Sequence, residues 1–112
     1  MNSTTLLKGT LQTIVLKLLQ DNDRMYGYEI TKVVKEMSDG AFVLTEGALY
    51  PALHKLEGEG LLTTTIELFE GRARKYYSLT PQGRSEAHLK VTEAATFIEK
   101  FQFILNLQTS TT

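Results

Sequence analysis

From Ala87 onward the apolar residues fall into a repeat that one short domain cannot satisfy alone. Ala87, Val91, Ala94, Ile98, Phe101 and Leu105 alternate steps of four and three, the 3.5-residue period that winds one helix around another. Phe97 and Ile104 widen the stripe on one flank. So much apolar surface on one helix calls for a partner, and self-association through this helix is expected. Val91, Ala94, Ile98, Phe101 and Leu105 are its candidate dimer contacts.

The core of the fold must then come from the preceding segments. Leu11, Ile14, Val15, Leu18 and Leu19 share one face of a helix from about Lys8 to Gln20, ended by Asp21-Asn22-Asp23. Tyr26, Ile30, Val33, Val34 and Met37 repeat the pattern, giving a second helix from about Tyr26 to Ser38 that stops near Asp39-Gly40. A third stripe, Leu49, Leu53 and Leu56, follows Thr45, a suitable N-cap, with Glu46 in the first turn. Pro51 interrupts it. An interior proline costs ~3 kcal/mol, so local rules also admit a helix that starts at Pro51, although the longer helix is preferred.

The Thr-rich, β-branched run Leu62 to Leu68 suits a strand, and Lys75 to Leu79 resumes it after an interruption at Phe69 to Ala73. Thr80-Pro81 supplies a cap and a first-turn proline for the last helix. The expected fold is mainly α with a β-hairpin. It is a winged helix-turn-helix over residues 1–80 and a long dimerisation helix over 81–108, followed by a disordered tail over 109–112. Met1 to Thr5 is expected to fray.

Composition narrows the function. Of the 112 residues 42% are hydrophobic and 22% charged, ordinary for a globular chain, and there is no cysteine for disulfide, cluster or thiolate chemistry. The lack of a secretory leader or a long apolar run leads to the expectation of a cytoplasmic protein that does not engage membranes. A formal net charge of −1 argues against indiscriminate nucleic-acid binding. Acidic residues outnumber basic ones from 21 to 60, whereas Arg72, Arg74 and Lys75 crowd beside Gly71, so any DNA contact must be local.

With Leu49, Leu53 and Leu56 inward, Gly47, Tyr50, Pro51, His54 and Gly58 fall on the opposite face of the third helix and Lys55 at its edge. That face can meet a major groove, and Thr45 with the helix N-terminus can receive a phosphate. Arg72 and Arg74 suit a wing laid along phosphates or into a minor groove. The plain alternative is a solvated helix face and a solvated loop. Phe97, Phe101 and Phe103 can be dimer core or the wall of a pocket for a planar apolar ligand, with core the default. His54 and His88 lack the partners a zinc site needs, no catalytic set is assembled, and neither metal, cofactor nor enzymatic activity is expected.

The stretches LLKGTLQTIVLKLL, YGYEI, TEGALYPALHKLEGEGLL and GRARKYYSLTPQG, in that order from Leu6 to Gly83, closely resemble the PadR family of bacterial and archaeal transcriptional regulators. The resemblance implies a homodimer paired through its C-terminal helix, often also through the first helix, that represses palindromic promoter sites and is released by a small-molecule effector. Because the family keeps a proline inside its recognition helix, the longer third helix gains support. The resemblance carries groove contact to Thr45, Gly47, Tyr50, His54 and Lys55, wing contact to Arg72 and Arg74, and phosphate contact to Tyr28 and Lys32. Some small members bind flat drugs between aromatics at mid-helix, where this chain has Ala94 and Ala95 instead. The competing reading is a winged-helix module that docks a protein in place of DNA.

Overall fold

The structure, a computed structural model, describes residues 4–107. The expectations for Met1 to Ser3 and for the tail after residue 107 lie outside them. The elements are α1 (Thr4–Asp21), β1 (Met25–Tyr26), α2 (Gly27–Met37), α3 (Glu46–Gly58), β2 (Leu62–Phe69), β3 (Arg72–Leu79) and α4 (Pro81–Ile104). α1 reaches back to Thr4, four residues before the expected start, and α2 loses one residue at each end.

The helices pack as their apolar stripes require. Leu49, Leu53 and Leu56 of α3 are fully buried, with Ile30 and Val34 of α2 and Leu11, Val15, Leu18 and Leu19 of α1. Each such leucine removed from water contributes about 1.5–3 kcal/mol. Leu16 is also buried although it lies off the α1 stripe, because α3, β3 and α4 all pack on α1 and enclose it on several sides.

α3 takes its longer form. Thr45 Oγ1 accepts a hydrogen bond from the Ala48 amide at 3.2 Å, capping the first turn. Pro51 sits inside the helix, where its ring and missing N–H fall against the carbonyl of Gly47. Gly47 is exposed, so water can serve that carbonyl, and it has no side chain to crowd the turn. The helix closes on Gly60 at φ 79°, with the Leu61 amide donating to the Leu56 carbonyl at 3.0 Å.

The sheet has three strands in the order β1-β3-β2, all antiparallel. The hairpin loop expected over Phe69 to Ala73 is corrected to two residues. Glu70 and Gly71 both take positive φ, 50° and 79°, the pattern of a type I′ turn, and Phe69 already pairs with Arg72. Arg72 and Arg74 therefore lie on a strand, on the same face by alternation. β1 escaped the sequence reading because two residues carry no period. It is held by the pairs Met25 with Tyr77 and Tyr26 with Tyr76.

Thr80 joins the sheet to α4. Its amide donates to the Leu61 carbonyl at 3.0 Å, its hydroxyl donates to the Gly60 carbonyl at 2.7 Å, and its Oγ1 accepts from the Gly83 amide at 2.9 Å. Gly83 and Ala87 of α4 are buried, so Ala87, the first member of the heptad stripe, belongs to the core of its own chain. α4 ends at Ile104 rather than 108. Asn106 turns left-handed at φ 60° and the Leu107 amide donates to the Gln102 carbonyl at 2.9 Å, so Leu105 falls at the C-cap. Among the described residues no helix is long and apolar enough to cross a membrane.

Candidate nucleic-acid interface

The face of α3 opposite its leucines is uncovered. Gly47, Tyr50, Pro51, His54, Lys55 and Gly58 are all exposed, and Thr45 is exposed at the capped N-terminus. Tyr50 differs from the others. Its hydroxyl lies over Gly27 at the start of α2, so close that a β-carbon at Gly27 would stand 2.3 Å from it. Tyr50 thus props α3 against α2 with part of its ring, while 38% of the residue stays open to solvent.

Tyr28 and Lys32 lie on the outer face of α2, where they line an open cleft with Lys35 and the segment leading to Leu44. Thr45 and Gly47 line a neighbouring groove with Lys8 of α1. Lys35 and Lys8 were not singled out from the sequence. Lys35 follows Tyr28 and Lys32 at the i+7 position of one helix face and was legible on that ground. Lys8 is brought to α3 by tertiary packing alone.

The wing stands beside α3, with Lys75 Nζ 3.9 Å from the Glu57 carboxylate. Its other face carries a ladder of rings and guanidinium groups. The Arg74 guanidinium lies 4.2 Å from the Tyr26 ring centre and 4.1 Å from that of Phe69. Arg24 lies 4.1 Å over Tyr76, and Tyr76 meets Tyr26 edge to face at 5.5 Å. Arg24 also grips both oxygens of Glu67. That bond holds the Glu67 carboxyl below its usual range. Hydrogen bonding with Tyr76 is the main influence that raises the pKa of Arg74. None of this ladder was read from the sequence, since it unites β1, β2 and β3 across sequence distances that no local pattern spans. Arg72 is exposed, beside the turn.

Along α4 the expected dimer residues pass from half-buried to exposed. Val91 and Ala94 are half-buried, and Ile98, Phe101 and Leu105 are exposed, as are Leu89, Phe103, Ile104 and Leu107. Phe97 and Phe101 stack on each other with centres 5.4 Å apart and planes 18° from parallel, on an open surface. No group of three His, Cys, Asp or Glu able to hold a metal occurs among the described residues.

Three packed helices closed by a hairpin wing, with a bare helix face beside the wing, define a winged helix-turn-helix protein. Residues 15–89 match the family described as transcriptional regulator PadR-like, and the chain belongs to that family of transcriptional regulators. It is 42% identical over 78 residues to the transcriptional regulator Rv3488 of Mycobacterium tuberculosis, covering 70% of this chain and 69% of that protein. It is 35% identical over 80 residues to the negative transcriptional regulator PadR of Bacillus subtilis, which spans 70% of this chain and 43% of that longer protein. Among solved structures, a transcriptional regulator from Clostridium thermocellum superposes with a TM-score of 0.76 at 31% identity, covering 91% of this chain and 95% of that one.

Proposed function

We propose that this regulator binds double-stranded DNA as a homodimer and represses transcription from a palindromic promoter site. The observation that carries the reading is the bare, nearly neutral face of α3, capped by Thr45 and flanked by a wing bearing Arg72 and Arg74. Gly47 lets the helix approach a groove closely, His54 and Lys55 reach outward toward base edges or phosphates, and Tyr28 and Lys32 extend the phosphate track onto α2. Tyr50, anchored over Gly27, contributes its exposed edge. The segment before α4 forms the reading head, and α4 with its C-cap Leu105 the pairing element. Two heads set one DNA turn apart, ~34 Å, read the two halves of a palindrome.

The exposed apolar stripe of α4 supports pairing through Val91, Ala94, Ile98, Phe101 and Leu105, because a regulator this small gains from burying it. Repression follows the naming of the Bacillus subtilis relative as a negative regulator. A small-molecule effector that switches the dimer would meet Phe97 and Phe101 near that seam. Such a protein works in the cytoplasm, where the chromosome lies.

The test is salt-dependent binding to duplex DNA. Arg72→Ala and Arg74→Ala are each expected to weaken binding on all sequences and to make the slope of log K against log salt shallower by about one. Unchanged slopes for both would remove the wing from the interface. A dimer with no affinity for DNA would favour the protein-docking module, to which the net charge of −1 is better suited.

A further inference from the structure

Glu67 and Arg74 stand directly opposite each other in the β2–β3 ladder, on the same face. Opposite charges in that position ordinarily attract each other across the strands. Here they do not pair. Both oxygens of Glu67 are held by Arg24, which approaches from the turn before β1, with Nη2 3.0 Å from Oε1. The chief influence on Arg74 is a hydrogen bond with Tyr76, and the carboxylate that adds to it, least of all, is Glu70 at the turn. Arg74 is instead clasped face-on by Tyr26 and Phe69, each about 4 Å away. Rings placed over a guanidinium leave its N–H donors, which lie in the plane of the group, to other partners. Tyr76 takes part of that edge of Arg74 by hydrogen bonding, and the rest is open to an outside acceptor.

We propose that Arg24 is a positioning residue for the wing: by engaging Glu67 at both oxygens it withholds that carboxylate from Arg74 and keeps the stacked Arg74 edge available to a DNA phosphate. This rests on the DNA-binding reading above. Arg24 itself is committed on its edge to Glu67 and on its face to Tyr76, so it touches no phosphate. Without it, Glu67 turns to its cross-strand partner, and the wing loses one phosphate contact through a residue that never met DNA.

Two measurements test this, one of them without DNA. In a carboxyl-carbon NMR titration, Glu67 is expected to stay below its ordinary pKa of 4.5 in Arg24→Ala, because Arg74 takes over, and to return to it in Arg24→Ala/Arg74→Ala. A return already in the single variant shows that Arg74 never reaches Glu67 and overturns the proposal. In the second, binding to a random-sequence duplex of about 30 base pairs is followed as salt is raised. Arg24→Ala is expected to make the slope shallower by about one, as loss of one phosphate contact does. Arg24→Ala/Glu67→Gln should recover the wild-type slope, whereas Arg24→Ala/Glu59→Gln, the same charge change elsewhere, should not. An unchanged slope in Arg24→Ala, or no recovery with Glu67→Gln, contradicts the proposal, the latter by making Arg24 itself the contact or a merely structural residue. Should the wild-type protein bind no duplex, the DNA-binding reading falls, and the titration still decides whether Arg24 shields Arg74 from Glu67.

Discussion

Gly83→Val is expected to cost about 3 kcal/mol or more in urea denaturation, or to prevent folding outright, the upper range for overpacking a close-packed site. A β-carbon at Gly83 would stand 1.9 Å from the Leu61 carbonyl oxygen and 2.8 Å from its carbon. These are backbone atoms, so no side chain can swing aside. The Leu61 carbonyl already accepts from the Thr80 amide and the Gly83 amide is bound to Thr80 Oγ1, which ties both partners in place. α4 can yield only by lifting off the core and exposing Ala87. A folded variant within about 0.5 kcal/mol of wild type, the range of ordinary surface changes, would mean that α4 does not seat as described.

Phe101→Asp is expected to turn a dimer into a monomer in sedimentation while leaving the reading head folded, because Phe101 is exposed at 43% in the single chain and supports nothing in its core. A charge placed in a heptad seam loses hydration without gaining a partner. Loss of the second head removes the avidity of a two-headed contact, so affinity for a palindromic site should drop by about 100-fold or more, while a single half-site is bound as before. A variant that still sediments as a dimer would move the pairing surface off the α4 stripe, toward α1 or the wing.

Local periodicity was enough to place the helices, because Leu49, Leu53 and Leu56, or Ile30 and Val34, must share a face to leave water, and that requirement is visible without knowing the neighbours. Caps were legible for the same reason: Thr45 and Thr80 act on amides three residues away. The misses are of the opposite kind. Leu16 is buried because three elements converge on α1, and β1 exists because Tyr26 finds Tyr76 fifty residues on. The expected hairpin loop is three residues longer than the one found, because Glu70-Gly71 alone suffices to turn the chain.

The candidate site divides in the same way. The bare face of α3 follows from the helix period, and the resemblance to the PadR family named Tyr28 and Lys32. The motif YGYEI was recognisable before its reasons were. Tyr26 stacks on Arg74, Gly27 makes room for Tyr50, the Glu29 carboxylate accepts from the Tyr26 amide at 3.3 Å, and Ile30 enters the core. Of those roles only the last shows in a hydrophobic pattern. The Glu29 bond is a local cap three residues away, whereas the roles of Tyr26 and Gly27 depend on residues from the wing and α3.

Whether the chain reads DNA is decided by fluorescence anisotropy. Purified protein is titrated onto the duplex upstream of its own gene and onto a scrambled duplex, each at two salt concentrations. Binding that weakens steeply with salt and favours the native duplex by ~1000-fold or more is the predicted result. Absence of binding to either duplex, by protein that sediments as a folded dimer, would rule out DNA reading and assign the bare face of α3 to a protein partner.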